Sequence, residues 1–181
     1  MSEPAYIEEY FSRHNDLYQY LVAAREVSYA SDFLETFVRG LVLAIASFFE
    51  HSITEIMSEL PTARANGDPV ITSMVMRQVI SRKYHTYFDW ERLKPGPFLA
   101  LLGDDFKSKV NAELKTNKEL AEGIDAFLEL GQIRNNLVHQ NYVRFVVEKT
   151  PEELIIQFRK AQIFPVYLRA TLLSSGSTES T

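Results

Sequence analysis

The sequence predicts an all-α fold, an up-and-down bundle of about five to six helices with a long core helix over residues 32–60 packed on a second long helix over 116–140. Three observations predict it. Apolar residues recur at three- and four-residue spacing along most of the chain, the period of a buried helix face. Only seven Gly and seven Pro interrupt 181 residues, of which 46% are hydrophobic, a composition that buries a core instead of staying disordered. The one β-rich run, Tyr142-Val143-Arg144-Phe145-Val146-Val147, is short and reads as an extended link or a brief strand.

In chain order, a first helix is predicted over 4–26, where Ala5, Ile7, Tyr10, Phe11, Leu17, Leu21 and Val22 keep a helical rhythm. A break is expected near His14 and Asn15, with His14 on the surface. The core helix should open at Asp32, with Glu35 three residues on as a capping pair, and stop before Pro61. Its centre, 40–49, is apolar almost all round, while Arg39, Ser47, Glu50 and Thr54 line up along one side. A loop with an Asn66-Gly67 turn signal leads to a helix over 70–82.

Arg77, Arg82 and Lys83 then alternate with Tyr84, His85, Tyr87 and Trp90. Such a mixture either stacks and neutralises single-stranded RNA or packs its aromatics inward with its cations outward. Lys94-Pro95-Gly96-Pro97 is a rigid turn, and a helix over 98–114 should bend near Gly103. Adjacent helical residues point about 100° apart, so Asp104 and Asp105, with no third ligand spaced to join them, read as solvated charges and not as a metal site. Thr150-Pro151-Glu152-Glu153 is a strong helix start, opening a last helix that reaches residue 173 and is kinked by Pro165. Residues 1–173 form a single domain, followed by a polar tail over 174–181.

The helix over 116–140 carries the chemistry. Thr116 and Glu119 have the spacing of a capping box at its start. Leu120, Ile124, Phe127, Leu128 and Gly131 form one apolar face, beside a second strip of Ala126, Leu130, Ile133 and Leu137. The first face continues as Arg134, Asn135 and Val138, with His139 at its edge. Burying a hydrogen-bonding group unpaired costs about 1–3 kcal/mol, and a charge more, so these side chains need a partner, a ligand or a wet cleft. Asn135 and His139, four apart, share a face and can hydrogen-bond. Arg134 and His139, about 140° apart, flank Val138. Together they offer a cation for phosphate, a proton carrier and an amide to hold the imidazole. Gly131, one turn earlier, makes room for another backbone or another subunit.

Charge and compartment narrow the class. A net charge of −5 argues against a protein that coats nucleic acid through bulk charge, though not against a local cationic cleft. There is no Cys, which excludes disulfides and thiolate metal sites. The acidic start (Ser2, Glu3, Glu8, Glu9) is unlike a secretory signal, and the longest uncharged apolar run, about 40–49, is too short to span a bilayer; the cytoplasm is the expected compartment.

Ile133-Arg134-Asn135-Asn136-Leu137-Val138-His139-Gln140, closing a long helix in an all-helical chain, resembles the signature of the HEPN superfamily. The runs 41–50 and 98–106 resemble its RiboL-PSP branch, and the likeness covers roughly 32–173. The resemblance implies a metal-independent endoribonuclease, a toxin or phage-defence component, with RNA as substrate and no cofactor. The RNA 2′-hydroxyl would attack its own phosphate, His139 would move the proton, Arg134 would stabilise the charge at phosphorus, and Asn135 would hold the imidazole or the phosphate. Glu50, with Ser47 beside it, reads either as the solvated edge of a long helix or, as the resemblance implies, as the group that faces and orients Arg134 or His139. The resemblance also implies a symmetric homodimer with a composite active site and Gly131 near the contact, and an antitoxin or neighbouring-gene partner. A related HEPN branch carries a modifiable Tyr two residues after the His; here that position is Asn141, with Tyr142 one later. The competing readings are a non-catalytic module that binds a nucleotide or a protein partner, and an Arg–Asn–His network that simply joins two helices.

Overall fold

Phe37, Leu41, Ile45, Phe49, Ile53 and Ile56 recur every three or four residues, and all are buried to within 2% exposure. That spine makes the helix Val27–Ala65 (α2) the axis of the computed structural model, which describes residues 3–80 and 84–174. The first helix, α1 (Glu3–Ala23), lies along α2 without a break. His14 is not a surface residue. Its ring stacks on Tyr10 at 4.0 Å and on Phe37 at 5.3 Å, and its Nδ1 donates to Tyr10 O at 2.8 Å. That local partner lets an imidazole sit half-buried among aromatics.

Both ends of α2 fall outside the expected 32–60. Arg25 takes a left-handed turn (φ 61°) and α2 starts at Val27, so Asp32 lies inside the helix and caps nothing. At the other end the helix runs through Pro61 to Ala65. A proline forfeits one backbone bond, and here its ring is buried and its carbonyl accepts from Asn66 N and Gly67 N. The stop is Asn66, at φ 50°: the turn signal ends the helix, not the proline.

Asp68 caps the short α3 (Pro69–Met74) through Val70 N and Ile71 N, and a π-helical turn over Val75–Ile80 follows. Arg82 and Lys83 of the basic cluster lie outside the described residues. A 3-10 turn, Tyr84–Thr86, and a bridge between Asp89 and Lys94 lead to α4 (Gly96–Leu101). The expected bend at Gly103 is a full break, with Gly103 at φ 97° and α5 (Asp104–Glu113) beginning directly after it. Asp104 and Asp105 are exposed in the first turn of α5, where carboxylates suit the helix dipole.

The motif helix is α6 (Lys118–His139). Its cap is Asn117, whose side chain accepts from Leu120 N at 3.0 Å; Thr116 is instead used to bond Glu113 O. Residues 142–147 form a turn and coil, with no strand among the described residues. The box at Thr150 is complete in both directions and opens α7 (Pro151–Ala161). The last expected helix is split at Gln162, giving α8 (Ile163–Leu173). The proline ring clashes with the carbonyl four residues back, so Pro165 breaks the chain just after Ala161 and not at its own position. The splits at Gly103 and Gln162 yield more and shorter helices than the five to six expected, in the same all-α bundle.

Core helix α2 packs on α6, α7 and α8. Phe49, Phe127 and Phe158 meet between them at ring distances of 5.2 to 5.6 Å, and Phe127 meets Phe164 at 5.0 Å, mostly edge to face. The chain leaving α6 is held by Arg39, a residue only 8% exposed. Its guanidinium donates to Phe145 O (3.1 Å), Val143 O (3.1 Å) and Glu35 Oε2 (3.0 Å), and it lies 5.8 Å from the Tyr142 ring. Replacing Arg39 by Met should keep the stem but forfeit these bonds, destabilising the chain by about 1–3 kcal/mol in urea unfolding. Amide exchange across 142–147 should accelerate in the same variant.

Candidate functional site

Along α6 the apolar face leaves the core. Leu120, Ile124 and Phe127 are buried; Arg134 and Asn135, about two turns on, are half-buried; Val138 is 44% exposed and His139 is exposed. On the neighbouring strip of the helix Leu137 stays fully buried. The polar side chains thus interrupt the pattern where the face meets solvent, which supplies the wet surroundings that an Arg and an amide need.

Gly131 sits at that boundary. The Trp90 ring lies directly on its backbone, and a Cβ there would overlap the indole. The room left by Gly131 is therefore filled by this chain's own Trp90. Trp90 Nε1 donates to His85 O at 2.9 Å, and Gln132 Nε2 donates to Trp90 O at 2.9 Å. These bonds tie the 84–94 segment to α6 and bring His85 Nδ1 to 3.2 Å from Arg134 Nη1.

A narrow pocket of about 20 Å³, room for roughly one water, lies between Ala46, Phe49 and Glu50 of α2, Tyr84, His85 and Trp90, and Gly131, Arg134 and Asn135 of α6. Of the residues singled out in the sequence, Arg134, Asn135 and Glu50 line this pocket together. His139 lies a turn further along α6, beyond the lining. Ser47 is exposed and does not line it: the α2 face turned toward α6 is that of Ala46, Phe49 and Glu50. Among the described residues Arg134 bonds His85 and makes no ion pair with Glu50. A larger groove, about 320 Å³, lies under the 145–151 segment against Tyr18, Leu34 and Val38 and contains none of the motif side chains.

Tyr84 reports the local field. Burial, then the nearby Glu50 carboxylate, holds its phenol well above the usual 10.0, while Arg134 pulls the other way. Glu50 and Arg134 thus both act on the same buried ring. The basic and aromatic stretch resolves as its bland reading in part: Tyr84, Tyr87 and Trp90 are buried, and Arg77 is exposed. The sequence places His85 in that stretch but gives no sign that it meets Arg134. His85 lies 49 positions from Arg134, and no spacing rule links the two. Chemically, a half-buried guanidinium with several donors still available, an amide beside it and an exposed imidazole at the helix end can receive a phosphodiester and move a proton.

Two outcomes test this arrangement. Gly131→Ala should lower stability by about 1–3 kcal/mol through overlap with the indole, despite the better helix propensity of Ala, with a change in Trp90 fluorescence. Below pH 10 the neutral Tyr84 phenol costs neither state; above it the unfolded phenol ionises and the folded one does not, so stability falls as pH rises. Tyr84→Phe should therefore lose less of its urea midpoint than the wild type on going above pH 10.

No curated protein and no solved structure matches the chain. A family does. The sequence model of RiboL-PSP-HEPN aligns with residues 8–168, from within α1 to within α8 and across the whole motif helix, and the chain belongs to that family.

Proposed function

We propose that this chain is a metal-independent endoribonuclease that cuts RNA by transesterification, serving as a toxin or phage-defence component. The observation that carries the reading is the emergence of Arg134, Asn135 and His139 toward solvent where the apolar face of α6, buried at Leu120, Ile124 and Phe127, leaves the core. The nucleophile is the substrate's own 2′-hydroxyl, so the reaction needs no bound metal to generate one, and DNA, lacking that hydroxyl, is spared. Arg134 meets the charge that develops on the phosphorane oxygens. Asn135, four residues before His139, orients the imidazole or the phosphate. Products are a 2′,3′-cyclic phosphate and a 5′-hydroxyl. The pocket itself is too small for a base, so the phosphate sits at its mouth and the nucleosides lie outside.

Transesterification wants one group to take a proton and one to give it. A two-fold pair of chains is one source of the second, as another His139 in a composite cleft, and an antitoxin or neighbouring-gene partner would restrain the pair.

Purified chain incubated with mixed RNA in EDTA should release fragments with cyclic phosphate ends. His139→Ala should slow this by about 10²–10⁴-fold and Arg134→Ala by about 10²–10³-fold, with thermal melts unchanged. Equal survival of RNA with wild type and His139→Ala would reject cleavage, and RNA bound but uncut would favour a non-catalytic binding module.

A further inference from the structure

We propose that His85 is the second proton-transfer residue of the site, a general base acting through Nδ1 within the same chain once the substrate phosphate draws Arg134 away. This rests on the nuclease reading above. The first ground is the Arg134–His85 contact, 3.2 Å between Nη1 and Nδ1. A guanidinium has only donors, so Nδ1 must present its lone pair and the ring proton must sit on Nε2. With its lone pair turned to Arg134, Nδ1 is the nitrogen placed to accept a proton.

The second ground is placement. On an ideal helix Arg134 and Asn135 diverge by about 100°, with Val138 between them one turn on and His139 on the Asn135 side. Arg134 with His85 makes one flank of the exposed Val138, and Asn135 with His139 makes the other. In-line displacement at phosphorus requires the attacking and leaving oxygens on opposite sides, so two proton carriers should flank the phosphate. The third ground is rigidity. The His85 carbonyl is fixed by the Trp90 indole and the neighbouring Tyr84 is buried, while the His85 ring is exposed. The titratable and charged groups around that ring are Arg134 from α6, Glu50 from α2 and the adjacent Tyr84 phenol.

In the reaction, the phosphate oxygens take the Arg134 donors and free Nδ1. Nδ1 accepts the 2′-hydroxyl proton as the O2′–P bond forms. The P–O5′ bond breaks with its electron pair, and a protonated His139 donates to O5′. His85 ends protonated and His139 neutral, and exchange with water resets both. Glu50, lining the pocket, offsets the positive charge that His85 acquires.

The test uses the full chain, RNA in EDTA and pH–rate profiles of wild type, His85→Ala, His85→Asn and His139→Ala, with thermal melts to confirm folding. Asn Oδ1 preserves an acceptor for Arg134 but carries no proton. Both His85 variants should lose about 10²-fold or more in kcat with little change in KM, and the acidic limb of kcat/KM, which reports the base, should disappear. Wild-type rate in His85→Asn, or a surviving acidic limb, would reduce His85 to a support for Arg134 and overturn the proposal. Imidazole ¹⁵N shifts showing Nδ1 protonated in the free chain would also overturn it. Mixing His85→Asn with His139→Ala should restore nothing; recovery would place the two groups on different chains. Loss of cleavage in His139→Ala alone sinks only the His85 assignment, whereas RNA left intact by the wild type sinks the nuclease reading itself.

Discussion

The contact on which the site depends is the Trp90 indole lying on the bare backbone of Gly131. A glycine inside a helix costs about 1 kcal/mol relative to alanine, and here that cost admits a large ring against the helix surface. The ring also joins the core: it meets Phe88 at 5.0 Å and Phe127 at 6.2 Å. With its indole N–H on His85 O and its own carbonyl held by Gln132, Trp90 converts a long connection into a fixed wall of the cleft. Without it, His85 would be one more exposed loop histidine.

Fixing the wall matters because the local charge is small. The chain as a whole is acidic, at −5, and at physiological salt exposed charges are screened beyond about 8 Å. Recruitment of a polyanion by the whole surface is therefore weak. What remains is short-range: a guanidinium half-withdrawn from water beside a core of aromatic rings, where each charge-assisted bond is stronger than it is in bulk solvent. Such a site would select a ligand by local geometry and not by bulk charge.

Much of this was legible in the sequence, and the failures have physical causes. The α2 spine and the Thr150 box declared themselves because period and capping are local properties. Arg134, Asn135 and His139 stood out because polar groups replaced Leu on an apolar face. Pro61 misled because a ring can be tolerated inside a helix when it is buried and its carbonyl is used by the terminating turn. Asp32 misled because a capping pattern recurs within long helices without serving as one. Gly131 signalled close approach correctly, but nothing local says what approaches; the answer, Trp90, lies across the fold. The pairing of His85 with Arg134 was hidden for the same reason: it is a tertiary contact across 49 positions.

Arg39 secures the strand of chain beyond the motif helix through the carbonyl oxygens of Val143 and Phe145. Carbonyls are common to every residue, so the path of that segment is set without regard to which side chains it displays. Val143 and Val146 are exposed. Beside the end of the motif helix the fold thus keeps a short stretch whose course tolerates a change of side chain, because a single distant arginine maintains the path of the backbone.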